Sequence, residues 1–410
     1  MWFLQGFLLF LAADPQTWLQ WGGPARDFHL PAAKLAGSWG PSGPKQLWKR
    51  ALGDGYSSVV TDGQTIYTSY KRNSSGTVVI AMEASTGKTI WEQFFDAAPT
   101  EAEKKDIDLV HGNAPASTPV IAGDRLFVVT YFGQLTAFER ASGRVIWQED
   151  LWHKHGGNFI EYGYSNSPLL YRDTLILPVG GKGNALMAFR LRDGSVAWKS
   201  GDSDNAMSSP MLINVDGQEQ VVCIMLKEVL GANPQTGEIL WRHPHTNKTD
   251  TNVTSPLWCP GNILLLSSAY DSGTRAIKLT RDHDKTTVAE LWFNKKIRVH
   301  HTNMMQIGDT AYASSGDFGP APLTAFKIAT GEIVWQQRVF AKANFLHVGN
   351  EVIVLDEEGK LSLATFSADG VKVTAESQRL ANPAWTPPTL AGTKLYLRDR
   401  ANIEALDLGM

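Results

Sequence analysis

The chain has 410 residues, with 38 Lys and Arg against 41 Asp and Glu, a formal net charge of −3, and 43% hydrophobic residues. This is the composition of an ordinary globular protein. With no long run of Lys or Arg, it excludes an electrostatic footing on nucleic acid or on an anionic membrane surface. Length alone suggests two or three domains, but an internal repeat overrides that prior and leaves one large unit.

The chain opens with Trp2 to Ala13, WFLQGFLLFLAA, a short apolar stretch that ends in small residues before Asp14. It reads as a secretory leader (residues 1–13) cleaved near Ala13, which places the mature protein in the periplasm or outside the cell. It lacks the usual basic start, since the first basic residue is Arg26, and a partly buried N-terminal segment is the alternative. The stretch is too short to cross a bilayer core of about 30 Å, so no transmembrane segment is expected. No cysteine adjoins the cleavage position, which leaves no site for a bacterial lipid anchor. Residues 14–44, with WLQWGGPARDFHLP and GSWGPSGP, read as an extended arm rich in Pro, Gly and Trp that lies on the fold.

From residue 45 to 410 one domain is expected. Gln46-Leu47-Trp48-Lys49 looks like an outer strand with no strand before it. A tryptophan then closes the same phrase six times: Trp91 in TGKTIW, Trp147 in SGRVIW, Trp198 in DGSVAW, Trp241 in TGEILW, Trp292 in VAELW and Trp335 in TGEIVW. The spacings of 56, 51, 43, 51 and 43 residues match or slightly exceed the period of about 40 to 50 for four-stranded propeller blades. Each phrase predicts two antiparallel strands around a tight turn, with glycine taking the positive φ that a Cβ disfavours. Ten residues before five of these tryptophans stands a small residue, Ala81, Ala137, Ala188, Gly231 or Ala325. These small residues are expected on the inner strands, leaving room there, while each indole wedges against the next blade.

Counting the equivalent strands, with Ala276, Ala364 and Ala405 added, gives eight. The eighth stops at Met410 before an outer strand can form, so the strand around Trp48 is expected to complete it. The fold class predicted is therefore all-β: an eight-bladed propeller of four-stranded antiparallel blades whose last blade is closed by an N-terminal strand. Such closure removes the sheet edge that would invite association, and a monomer is expected. Each repeat also opens with a Ser/Pro-containing strand, as in STPVIAGDRLFVVTY from Ser117, leading by a turn to an apolar strand.

The repeated Ala-x4-[Thr/Ser/Asp]-Gly-x3-Trp phrase resembles the tryptophan-docking repeat of the pyrroloquinoline quinone (PQQ) type propellers, over roughly Gln46 to Leu408. That resemblance implies one of several roles. One group comprises quinoprotein dehydrogenases, which hold PQQ with calcium over a vicinal disulfide and use a catalytic Asp. Another is the propeller lipoprotein of the outer-membrane β-barrel assembly machinery, which holds partner polypeptides. This chain has no adjacent cysteines, only Cys223 and Cys259, and lacks the long insertions that build a cofactor chamber. The expectation is a non-catalytic binding or scaffolding protein of the bacterial envelope with no cofactor. A PQQ-dependent oxidoreductase is the alternative, and a carbohydrate-binding propeller the second alternative.

A ligand or partner, whether protein, small molecule or glycan, is expected at the mouth where the innermost strands begin. The entering segments hold His111, Asn113, Tyr162, Tyr164, Asn166, Asn205, Asn252, His300, His301, Asn303, Asn344, Asn382 and Trp385. An asparagine amide both donates and accepts, which suits either a polar ligand or a cap on local backbone groups. The adjacent rings of His300 and His301 would point to opposite faces of an extended strand, and no third metal ligand stands at recognisable spacing. His153, His155, His243 and His245 read as loop residues, Cys223 and Cys259 as buried small side chains, and no catalytic motif is found.

Overall fold

The computed structural model describes residues 16–72, 76–96, 114–158, 160–319 and 321–409; the leader Trp2 to Ala13, His111 and Asn113 lie outside them. Eight antiparallel sheets succeed one another along the chain, at residues 60–96, 120–150, 169–200, 211–244, 257–294, 305–337, 343–378 and 389–407. They are blades 1 to 8 of an all-β propeller. In blade 1 the strands run Val60–Thr61, Thr65–Arg72, Gly76–Glu83 and Thr89–Asp96 outward from the axis. The Ser/Pro phrases do form the innermost strands. The phrase small residues stand on the third strand of each blade, as Ala81 does, the inner strand of the hairpin that ends in the tryptophan. Ala81 pairs there with Trp91, so the room it leaves lies under the outer strand's own indole.

Blade 8 contributes three strands of its own and takes its fourth from Lys45–Ala51, which pairs antiparallel with Asn402–Asp407. The ring is thus closed by the two ends of the chain. Buried Arg398 reinforces the seam by donating to the carbonyls of Ser57, Ser69 and Gly53 in the run into and along blade 1, and Arg400 grips Asp54 with two bonds of 2.6 and 2.5 Å.

Every outer strand shifts register by one residue beside its tryptophan position, as between Gln46 and Trp48 opposite Ala405, a bulge that re-aims the side chain. The indole then lies on the turn glycine of the next blade. A Cβ on Gly87, Gly143, Gly194, Gly237 or Gly331 would meet the ring of Trp48, Trp91, Trp147, Trp198 or Trp292 at 2.4 to 2.7 Å. Glycine is required there twice over: its φ is positive, and its missing side chain is the seat for the ring. Each of these indoles also donates to a carbonyl of that blade, Trp91 to Arg140 O at 2.9 Å and Trp48 to Ala84 O at 3.0 Å. Burying roughly 200 Å² per indole is worth on the order of several kcal/mol.

Three of the eight joints differ for local reasons. The third and outer strands of blade 5 meet in a two-residue turn, Asp282 pairing Lys285, so no seat glycine faces Trp241. Trp241 lies instead over Gly231 of its own blade and donates to Gln220 Oε1 at 2.7 Å. Blade 7 has no tryptophan. Its joint with blade 8 is the bidentate pair of Arg379 with the fully buried Glu404, at 3.1 and 2.8 Å. Trp335, of blade 6, has no turn glycine of blade 7 beneath its ring, since Gly370 faces Gln337, but it still donates to Ser367 O at 3.1 Å.

Replacing Trp91 by Ala is expected to cost about 3 to 5 kcal/mol, seen as a lowered denaturation midpoint in urea; a loss under roughly 1 kcal/mol would contradict the wedge. Deleting residues up to Ala51 is expected to expose the edge of Asn402–Asp407 and to produce oligomers in light scattering. A monomer as stable as the full chain would show that this strand does not close the ring.

Candidate functional site

The segments that lead into the eight innermost strands converge at one mouth of the ring. Short polar side chains stitch each to the next. Ser58 N bonds Thr118 Oγ1, Thr118 N bonds Ser167 Oγ, and Ser167 N bonds Ser209 Oγ, all at 3.0 to 3.2 Å. Ser208 Oγ donates to Thr254 O, and Thr254 Oγ1 to Thr302 O. Asn303 forms a two-way bridge with the backbone of Phe345, Asn344 Nδ2 donates to Trp385 O, and Thr386 Oγ1 to Tyr56 O. The belt is continuous from blade to blade. It explains why Ser, Thr and Asn recur at these entries: a backbone that is not yet in a ladder still needs partners.

The predicted asparagines take part in this stitching. Asn166 reaches Asn205 Oδ1 and Ala206 O, and Asn252 reaches the carbonyls of Met225 and Leu226. Buried His245, fixed by Ser268, supports Asn252 through that same hydroxyl. His245, expected as a loop residue, follows its outer strand but is buried, as is most of His155, which bonds Glu149 Oε2 at 2.7 Å; His153 is exposed. Tyr164 does not reach the mouth surface. It is packed into the joint of blades 2 and 3 over Gly133, and burial pushes its phenol well up. Asn382 is exposed and bonds Glu358.

His300, His301 and Trp385 come together with residues that the sequence reading did not select. The chain bends at His301, so the two imidazoles do not point apart but meet edge to face at 4.8 Å. Around them runs a row of rings: Phe318 to Tyr270 at 5.5 Å, Tyr270 to His300 at 4.9 Å, His301 to Trp385 at 4.7 Å, and Trp385 stacked on Tyr56 at 5.6 Å. Arg400 caps it over Tyr56. Tyr270 and Phe318 lie outside the entry segments, in loops between the second and third strands of their blades, where no repeated phrase marks them. His300 bonds the Tyr270 hydroxyl through Nε2 and the Lys342 ammonium through Nδ1 at 3.2 Å. Lys342 is buried, which lowers its pKa, and it also donates to Asp317 O. Arg298 pairs with Asp317 at 2.8 Å, and Arg400 with Asp54, so these charges at the two ends of the row are matched in place.

Tyr162 lines a separate cleft of about 170 Å³ at this mouth, with Glu161, Met207, Leu226, Asp250 and Asn252. Cys223 and Cys259 are free and buried, and burial raises both thiols. Among the described residues, no group of three His, Cys, Asp or Glu side chains is placed to hold a metal ion, and no helix is long and apolar enough to cross a membrane.

The arm blocks the opposite mouth. Trp18 bridges Thr61 of blade 1, Leu19 O accepts from Ile121 of blade 2, and His29–Leu30 pairs parallel with His347 and Val348 of blade 7. At its centre Arg26, 3% exposed, donates to the carbonyls of Ser167, Pro168 and Pro210 from blades 3 and 4. Burial pulls its pKa down to about 9, still charged at neutral pH. The arm that the sequence suggested would lie on the ring is thus inserted into it.

Burial holds the His245 pKa near 3, against 6.5 for the free side chain. The unfolded chain therefore binds a proton that the folded one refuses between these values. His245 contributes stability that is full above pH ~6.5 and is lost as pH falls toward ~3. Replacing His245 by Gln is expected to flatten the acid limb of a plot of Tm against pH in that window; an unchanged slope would count against the assignment.

The family model described as outer membrane protein assembly factor BamB matches residues 74–337. No match was found among curated proteins. Among solved structures, BamB from Moraxella catarrhalis is 15% identical with a TM-score of 0.62, the alignment covering 89% of this chain and 99% of that one. Quinohemoprotein alcohol dehydrogenase from Comamonas testosteroni is 12% identical with a TM-score of 0.68, over 97% and 81%. The computationally designed Ika8 protein is 9% identical with a TM-score of 0.57, over 88% and 99%. At such identities a shared fold is all that these structures show. The family match spans well over half of the chain, and with the eight docked blades it makes this protein a member of the PQQ-type propeller family of the outer membrane protein assembly factor BamB.

Proposed function

We propose that the protein is a non-catalytic binding or scaffolding propeller of the bacterial envelope, and that it holds a polypeptide partner at the mouth where its innermost strands begin. The observation that carries this reading is the row of rings from Phe318 to Tyr56. It is a broad amphipathic surface assembled from blades 1, 5, 6 and 8, and at its end Phe318 is 78% exposed. An exposed aromatic next to locally matched charges suits a protein interface, where aromatic anchors carry much of the binding energy. The family name supports an assembly role and an envelope location.

PQQ with calcium is the rival reading, and the side chains present fit it poorly. The two cysteines are free, buried and on separate blades, 4 and 5, and the acidic groups Asp54 and Asp317 already pair with Arg400 and Arg298. The imidazole and indole rings spend their contacts on one another, which also weakens the case for a stacked sugar.

A photo-crosslinking amino acid placed at Phe318 in the producing cell is expected to give a defined adduct with an envelope protein, and the same group at Val145 on the outer rim none. Stoichiometric PQQ uptake in the presence of calcium, with alcohol-dependent dye reduction, would overturn the proposal. So would identical adducts at both positions.

A further inference from the structure

We propose that the protein has a second binding site at the other mouth, where the innermost strands end, and that it takes an alkylammonium group: a primary ammonium carried on an apolar chain. The site is a cleft of about 270 Å³ between the arm and blades 5 to 7, close to the lower end of the ligand-pocket range of about 300 to 1,000 Å³. It exists only because the arm is inserted. Asp27 and His29 come from the arm, Leu257 and Trp258 from blade 5, Ile307 from blade 6 and His347 from blade 7.

The carboxylate in this cleft is only partly balanced, since burial raises the Asp27 pKa by more than the neighbouring His29 lowers it. Asp27 accepts the His29 backbone N–H at 3.1 Å, and among the described residues no Lys or Arg pairs with its carboxylate. Arg26, its neighbour in sequence, is turned away and committed to the carbonyls of blades 3 and 4. His29 and His347 lie ring to ring at 4.8 Å, and burial, then the neighbouring His29, depress the His347 pKa, so this imidazole stays neutral at pH 7. Burial raises the Asp27 pKa, the mark of a carboxylate poorly compensated by its surroundings. A half-buried carboxylate that its surroundings compensate only in part gains from a cation that binds beside it.

The apolar part of the ligand is indicated by what faces the carboxylate. Leu257, buried Met305 and the half-buried Ile307 give an aliphatic wall. Trp258 adds an indole, the best ring for cation–π attraction. An ammonium at Asp27 with its chain along this wall meets both. A carboxylate ligand would be repelled, and an uncharged alcohol would gain the wall alone.

The test is isothermal titration calorimetry on the full chain at pH 7.5 and fixed ionic strength, with n-hexylammonium, hexanol, hexanoate and a doubly blocked Gly-Lys-Gly peptide. Binding is expected for hexylammonium, the peptide, or both, and not for hexanol or hexanoate. Hexylammonium alone would point to a free amine, and the peptide would point to a lysine side chain of a partner. Asp27→Asn keeps an acceptor for the His29 N–H and is expected to leave Tm near that of the parent while weakening binding by about tenfold or more. Trp258→Leu should weaken it by roughly threefold or more. The proposal is overturned if hexanol binds as tightly as hexylammonium, if Asp27→Asn binds within about twofold of the parent, or if neither cation binds below about 10 mM. The mouth proposed to hold a polypeptide is at the opposite end, so either site can fail without the other.

Discussion

An indole lying on a glycine of the next sheet is the contact on which this ring depends. It needs three things at once: a bulge that re-aims the outer strand, a turn glycine with positive φ and no Cβ, and a carbonyl within reach of the indole N–H. Each is unremarkable alone. Together they fix the position of one blade against its neighbour, and repetition fixes the circle. Where one part is missing the joint changes chemistry. Trp241 finds no glycine on blade 5 and folds back over Gly231, while blades 7 and 8 are joined by Arg379 and buried Glu404. That pair depends on its geometry far more than an apolar wedge does, because removing either partner leaves an uncompensated charge.

Closure makes the ring polar in a different way. The strand Lys45–Ala51 satisfies the last sheet edge, and ahead of it the arm carries a buried cation, Arg26, into the channel. Carbonyls from blades 3 and 4, left over where the innermost strands begin, receive that guanidinium. The two mouths are thereby made unlike. One is sealed by the arm and keeps a cleft lined by Asp27; the other presents a row of rings with the Arg298–Asp317 pair beside it. Asymmetry of this kind lets a symmetric scaffold offer two chemically distinct surfaces.

The recurrent asparagines illustrate how a sequence pattern is read two ways until neighbours are known. Asn303 and Asn344 stand at entries where a ligand would be met, yet their amides bridge to the backbone of the next blade. Such a role is repeated because the backbone need is repeated. The aromatic row is the reverse case. Only His300, His301 and Trp385 of its members lie in segments that sequence could mark, since Tyr56, Tyr270 and Phe318 belong to no shared phrase.

The sequence by itself determined the number of blades, the strand that closes the last one and the residues that wedge between them, because a periodic contact leaves a periodic signature in the chain. It placed the small residues on the strand beside each indole's own but not the room they leave under that same indole, since alternation tells which face a side chain takes and not what covers it. Tertiary structure alone decided that the arm enters the channel, that His300 and His301 meet, that His245 and Tyr164 are buried, and that Asp27 lines a cleft between the arm and blades 5 to 7. These depend on contacts between residues scores of positions apart that occur once in the molecule, and a contact made once leaves no repeat to read.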